Sequence, residues 1–124
     1  MALSFIKQVV SLSEVDKDNG VDIYGALIAY DEEVIYSFKS VRDRAIFTNK
    51  RVILIDTQGI TGKKKEFLSI FYSKISAFSI ETAGSFDLDC DLKLYVSPMG
   101  EIELGFIRGT DIHKISQLMS THIK

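Results

Sequence analysis

The sequence predicts a mainly β domain with a C-terminal α-helix: a seven-stranded, antiparallel, partly open barrel of two near-orthogonal sheets. From residue 33 onward, short segments rich in β-branched and aromatic residues alternate with turn residues. The last segment changes to helical periodicity. A sheet of this size must curl or split, and an amphipathic helix is suited to close the end that stays open.

The predicted strands are separated by short polar or glycine-containing turns. Alternation is clearest late in the chain, where Leu92, Leu94 and Val96 face one way and Lys93 and Tyr95 the other. The predicted strands span residues 33–39, 44–48, 52–56, 66–72, 74–81, 90–97 and 101–107.

Helices are predicted at both ends of the chain. Residues 3–14 carry polar side chains at three- and four-residue spacing, which indicates a short amphipathic helix. A second short helix is predicted to begin at Asp18 or Asn19, and the C-terminal helix to begin with Thr110 as its N-cap. We therefore divide the chain into an N-terminal helical extension, residues 1–30, and a barrel domain, residues 31–124.

Size and composition are those of one globular domain. The chain has 124 residues and a formal net charge of −2. Its single cysteine, Cys90, cannot form an internal disulfide, which favours a reducing compartment. The apolar positions near the N-terminus are too few and too interrupted for a signal peptide or a membrane span. We expect a cytoplasmic protein.

Charge is unevenly distributed along the chain. Residues 1–33 contain two lysines and seven acids, and residues 81–103 contain one lysine and six acids. Residues 39–51, by contrast, contain five basic residues and one acid. Separated acidic and basic segments favour attraction between copies of one protein. Nucleic-acid binding is not expected, because it calls for a domain that is basic overall.

Four segments carry a resemblance to a known family: VRDR (41–44), FTNKR (47–51), TGKK (61–64) and ETAGSFDLD (81–89). Together they resemble the bacterial pleckstrin-homology (PH) family, and the resemblance covers residues 31–123. It implies the partly open barrel with its helical cap, and self-association as rings. It implies no enzymatic activity, ligand or catalytic residue. The N-terminal helices would cover a barrel edge or a neighbouring subunit.

The basic cluster has two interpretations. Lys39, Arg42 and Arg44, with Lys50, form a candidate ligand site, because converging cations can hold a phosphate or an anionic lipid headgroup. Eukaryotic PH domains have a similar basic pattern at this turn, which grips inositol phosphates. Asp43 lies between the arginines and weakens their field.

The favoured interpretation is self-association. Here Arg42, Arg44 and Arg51 pair with acids such as Asp87 and Asp89, in the same subunit or a neighbouring one. The sequence thus predicts a non-catalytic scaffold or protein-interaction module that forms a homo-oligomer, and a ring in particular. The alternative is an anion-binding module in peripheral contact with a membrane.

No catalytic, metal or cofactor site is predicted. His113 and His122 lie on opposite sides of the last helix, so they cannot share a metal ion. Cys90 shares its strand face with Leu92 and Leu94, which indicates a small buried residue rather than a nucleophile.

Overall fold

The computed structural model describes residues 7–58, 61–82 and 89–123. Two helices and two 3₁₀ turns accompany its strands. The helices are α1 (Val21–Tyr24), which continues into the 3₁₀ turn Gly25–Leu27, and α2 (Ile112–His122), which follows the last strand. The second 3₁₀ turn is Tyr72–Lys74. The strands are β1 (Gln8–Val15), β2 (Val34–Lys39), β3 (Arg44–Thr48), β4 (Arg51–Gln58), β5 (Lys64–Phe71), β6 (Ile75–Thr82), β7 (Cys90–Val96) and β8 (Gly100–Phe106).

The strands form one open sheet in the order β5-β4-β3-β2-β1-β8-β7-β6. Neighbouring strands pair antiparallel, except for β1 and β8, which pair parallel. The edges of the sheet are β5 and β6, which follow one another in the chain but do not pair. The predicted class, a mainly β open barrel with a C-terminal helix, is confirmed, and the described residues form eight strands in place of the predicted seven.

The additional strand is β1, so the helix predicted over residues 3–14 is wrong in the part that the structure describes. Val9 and Leu12 are buried, and they are three residues apart, as on a helix. The register of β1 against β8 shifts between them, and Ser11 between them has a positive φ of 60°. A bulge adds a residue to a strand and breaks its alternation. The bulged strand therefore imitates the spacing of a helical face.

The second predicted helix exists as α1 and the 3₁₀ turn after it, and it covers the outer face of β3 and β4. Ile46, Ile53 and Ile55 on that face pack with Tyr24 of α1. The opposite faces of β3 and β4 enter the main core. Burial on both faces explains why these two strands are apolar runs rather than alternating sequences. Within the described residues 7–30, the predicted N-terminal extension is thus helical only over residues 21–27.

The C-terminal helix packs its apolar face into the main core, as predicted. Ile112, Ile115, Leu118 and Met119 are the buried residues of α2. The N-cap is Asp111, whose carboxylate accepts a hydrogen bond from the His113 amide at 3.1 Å. The predicted cap, Thr110, lies one residue early.

Candidate functional site

A pocket of about 330 Å³ lies where the β2–β3 turn faces the connection between β4 and β5. We call it the hairpin pocket. Lys39, Arg42 and Arg44, three of the predicted ligand-binding residues, line it. Lys65 joins them, because the β4–β5 register places it opposite Thr57. Sequence analysis did not select Lys65, since only strand pairing brings it back to the turn.

The tip of the β2–β3 turn is held by its own polar groups. The Ser40 amide donates to the Asp43 carbonyl at 2.8 Å, and the Asp43 amide donates to the Ser40 hydroxyl at 3.0 Å. Val41, at the tip, is 98% exposed. The Asp43 carboxylate accepts from the Thr57 amide at 3.2 Å, which ties the turn to β4. Burial raises the pKa of Asp43, and the charge of Asp56 adds to the rise.

Arg44 has a structural task beside its place in the pocket. Its guanidinium donates to the carbonyl of Asn19 at 3.1 Å and to the side-chain oxygen of Asn19 at 2.9 Å. It also packs against Gly20, where an added Cβ would lie 2.4 Å from the guanidinium carbon. Gly20 has a φ of +85°, so glycine meets both the steric and the conformational requirement. Arg44 therefore fixes the turn that leads into α1.

Arg51 is the first residue of β4, beside the end of β3 that is distant from the hairpin pocket. It forms a nearly buried ion pair, which we call the Glu32–Arg51 clasp. Its Nε donates to Glu32 Oε2 at 2.9 Å, and its second amino group donates to Glu32 Oε1 at 2.8 Å. The Glu32 side chain is fully buried and that of Arg51 is 13% exposed. The guanidinium also donates to the Leu27 carbonyl and the Ser69 hydroxyl.

The clasp keeps Glu32 ionised. Burial of the carboxyl acts to raise its pKa, but hydrogen bonds from Arg51, the Ala29 amide and the Thr48 hydroxyl outweigh burial. With the charge of Arg51, they lower the pKa of Glu32 to about 2. The clasp therefore fastens the segment before β2 to the β3–β4 turn.

Lys50 is separated from the other predicted ligand-binding residues. It follows β3, which begins at Arg44 and spans about 13 Å to Thr48. Its ammonium pairs with Asp31 at 3.0 Å, and both side chains are partly exposed. The structure thus brings together Lys39, Arg42 and Arg44, and places Lys50 and Arg51 at the opposite end of the strand.

The outer face of β6, β7 and β8 is acidic. Glu81 lies directly opposite Asp91, and Glu103 directly opposite Lys93. Glu101 extends this acidic face beside Tyr95. Burial raises the pKa of Asp91, and the charges of Glu103 and Glu81 raise it further. The neighbouring carboxylates thus repel one another even with Lys93 among them.

Of the two predicted acidic partners, Asp89 lies at the margin of this face. Asp89 precedes β7, and its carboxylate accepts from the Arg108 amide at 3.0 Å. Asp87 lies outside the described residues. Sequence analysis missed Glu101 and Glu103, although their alternation in β8 was a usable signal.

The remaining polar candidates are the single cysteine, Cys90, and the side chains that could bind a metal ion. Cys90 is 7% exposed, which confirms its predicted burial. Burial raises the pKa of its thiol, and Asp91 and Asp89 add to the rise. Among the residues that the structure describes, no group of three His, Cys, Asp or Glu side chains could hold a metal ion. No described helix is long and apolar enough to cross a membrane.

Comparison with known proteins adds a family to this geometry. The sequence model of the family described as "Bacterial PH domain" matches residues 4–123. The uncharacterized protein YjqA of Bacillus subtilis is 48% identical over 91 residues, which cover 72% of this chain and 73% of YjqA. A second uncharacterized protein of that organism, YozO, is 33% identical over 98 residues, which cover 79% of this chain and 84% of YozO.

Solved structures agree with the sequence matches. A protein with a pleckstrin-homology domain from Shewanella loihica superposes with a TM-score of 0.81 at 35% identity, over 94% of this chain and 100% of that one. A pleckstrin-homology domain from Shewanella amazonensis gives a TM-score of 0.69 at 40% identity, over 90% of this chain and 91% of that one.

Proposed function

This chain belongs to the bacterial PH domain family, and on that premise we propose that it is a non-catalytic scaffold that assembles with copies of itself. In the proposed assembly, the hairpin pocket of one copy meets the acidic face of β6–β8 of the next. The assembly would present repeated surfaces to a protein partner in the cytoplasm. The family and the uncharacterized status of its relatives fit a binding module better than an enzyme.

The observation that carries the proposal is the separation of charge onto two surfaces. The hairpin pocket gathers Lys39, Arg42, Arg44 and Lys65 around one acid, Asp43. The acidic face sets Glu81 opposite Asp91, and like charges directly opposite each other destabilise a sheet. Basic groups from a neighbouring copy would relieve that repulsion. The two surfaces therefore complement each other in sign.

A contact between two different surfaces is head-to-tail, and it closes into a ring when the rotation between copies allows. This geometry supports the ring over a two-fold dimer. Of the residues predicted for self-association, Arg42 and Arg44 stay in the proposed contact, with Asp89 at the margin of its acidic half. Arg51 leaves it, because the clasp with Glu32 engages its guanidinium.

Charge reversal tests the contact. Arg42→Glu and Glu81→Lys should each lower the mass measured by light scattering, and the double variant should restore it, because the opposite charges have been exchanged. Asp22→Lys is the matched control, since Asp22 is exposed and lies outside both surfaces. The proposed contact is wrong if the control lowers the mass as much as Arg42→Glu does, or if the double variant stays as dissociated as the single ones.

The hairpin pocket also favours a second candidate, the binding of an anionic lipid headgroup or free phosphate. Its volume of about 330 Å³ and its cations suit a phosphate group. Co-sedimentation with anionic vesicles at low salt tests the lipid, and calorimetry with inorganic phosphate tests the free ion. Lys65→Glu should abolish binding, whereas binding that survives this change excludes the pocket as the site.

A further inference from the structure

A second pocket, of about 540 Å³, lies at the opposite end of β3 from the hairpin pocket. Its walls come from three parts of the chain. The β3–β4 turn contributes Asn49 and Lys50, the chain from the end of β5 contributes residues 71–73, and the end of α2 contributes Thr121 and His122. We call it the helix-end pocket. Its volume lies in the range of small-molecule sites.

The polar lining of the helix-end pocket is rich in hydrogen-bond donors, and none of its described lining residues is an acid. Lys50 supplies an ammonium group. The Asn49 side-chain oxygen accepts from the Glu33 amide at 2.9 Å, which leaves the NH₂ end of that side chain available as a donor. Ser73 adds a hydroxyl group to the lining. This composition suits an anion.

An aromatic wall accompanies the donors. The Phe71 side chain is 47% exposed, and the Arg51 guanidinium lies 5.5 Å from its ring centroid. The Tyr72 ring stacks on His122 with centroids 5.1 Å apart. The Tyr72 hydroxyl donates to the Thr48 carbonyl at 2.7 Å, which holds this stack in place. A flat apolar group therefore has a preformed surface to lie against.

Lys50 can exchange its present partner at low cost. Its ion pair with Asp31 joins side chains that are 38% and 59% exposed. Pairs between exposed side chains contribute little to stability, because water solvates both charges. Asp31 is not among the residues that line the pocket. A ligand oxyanion in the pocket could therefore replace Asp31 as the partner of Lys50.

We propose that the helix-end pocket binds a small aromatic oxyanion, a carboxylate or a phosphate carried on a flat ring. The ring packs against Phe71, and the oxyanion accepts hydrogen bonds from Lys50 and the polar groups beside it. The proposal gives a role to Lys50, which the structure separates from the other cations predicted to bind ligand. It is independent of self-assembly and of anion binding in the hairpin pocket.

Ligand-observed NMR on the full chain tests the proposal and tolerates an assembly of any size. The probes are benzoate and phenyl phosphate, with inorganic phosphate as the anion without a ring and benzyl alcohol as the ring without a charge. Saturable line broadening is expected for at least one aromatic anion, with weaker binding of both partial probes. The preference between benzoate and phenyl phosphate identifies the acid group.

Substitutions in the two pockets identify which of them binds the probe. Lys50→Gln should lower the affinity for the preferred probe about tenfold, which is equivalent to about 1.4 kcal/mol. Phe71→Ser should weaken it as well, whereas Lys39→Gln in the hairpin pocket should leave it unchanged. The proposal is overturned if no aromatic anion binds saturably, if inorganic phosphate binds as tightly, or if Lys39→Gln weakens binding while Lys50→Gln does not.

Discussion

Two arginines near opposite ends of β3 illustrate two uses of the same kind of side chain. Arg51 begins β4, and Arg42 lies in the β2–β3 turn. Arg51 is 13% exposed and clasped to a fully buried Glu32. Arg42 lines an open pocket beside Val41, which is 98% exposed. The segment before β2 supplies the buried carboxylate of Glu32 to Arg51. The arginine in the buried pair is therefore structural, whereas the arginine that lines the open pocket is exposed to a binding partner.

The largest expected effect comes from breaking the clasp. Glu32→Ala leaves the nearly buried Arg51 without its counter-charge, and removal of one partner of a buried pair costs about 3–5 kcal/mol. Urea unfolding followed by circular dichroism measures the loss. Asp31→Ala is the matched control, because it removes the exposed pair with Lys50 and should change stability little. Equal losses in the two variants would refute the distinction between the two pairs.

The second largest effect is expected from acid, which should remove the stability that the ionised Glu32 contributes through the clasp. The pKa of Glu32 is lowered from 4.5 to about 2 on folding, so its carboxylate stabilises the fold above pH 4.5. That contribution, at most about 3 kcal/mol, disappears as the pH falls from about 4.5 to about 2. The free energy of unfolding measured across this range should fall less steeply in Glu32→Gln. A parallel fall in both proteins would show that Glu32 is not the responsible group.

A smaller effect is expected at Gly20, which precedes α1 and packs against Arg44 of the hairpin pocket. Gly20→Ala forces a Cβ against the Arg44 guanidinium in a left-handed conformation. The conformational part alone costs about 1–2 kcal/mol. Thermal unfolding measures the loss, and Arg44→Ala in the same chain should recover the steric part. If the two changes are simply additive, the close approach does not contribute.

The smallest effect on stability is expected at the turn tip. Arg42→Glu and Lys39→Glu should change the free energy of unfolding by no more than about 0.5 kcal/mol, because they alter a surface. The same variants should weaken self-assembly. A large loss of stability would place these cations with Arg51 as structural groups and remove the contrast between the two ends.

The strands were predictable because their pattern is local. Arg44–Thr48 is rich in β-branched and aromatic residues, and Cys90–Val96 alternates apolar with polar residues, so each is recognised without its neighbours. β1 was not predictable, because the bulge at Ser11 spaces its buried residues as a helix would. That bulge depends on pairing with β8, at the other end of the chain.

The site was predictable only in part. Their proximity in the sequence grouped Lys50 and Arg51 with the cations of the hairpin pocket. The five residues of β3 separate the two groups, which lie at opposite ends of that strand. The partners that neutralise them, Asp31 and Glu32, reach them only through the folded sheet. Lys65 entered the pocket by the same long-range pairing. The sequence therefore predicted where charged residues are concentrated along the chain. It did not predict which of them form structural ion pairs and which stay exposed.

Solution mass tests self-assembly most directly. Light scattering after gel filtration, at tens of micromolar protein in moderate salt, should give a multiple of the 13.9 kDa chain, as expected for a closed ring. The mass should fall in Arg42→Glu and return when Glu81→Lys is added. A wild-type mass of 13.9 kDa under these conditions would contradict the account.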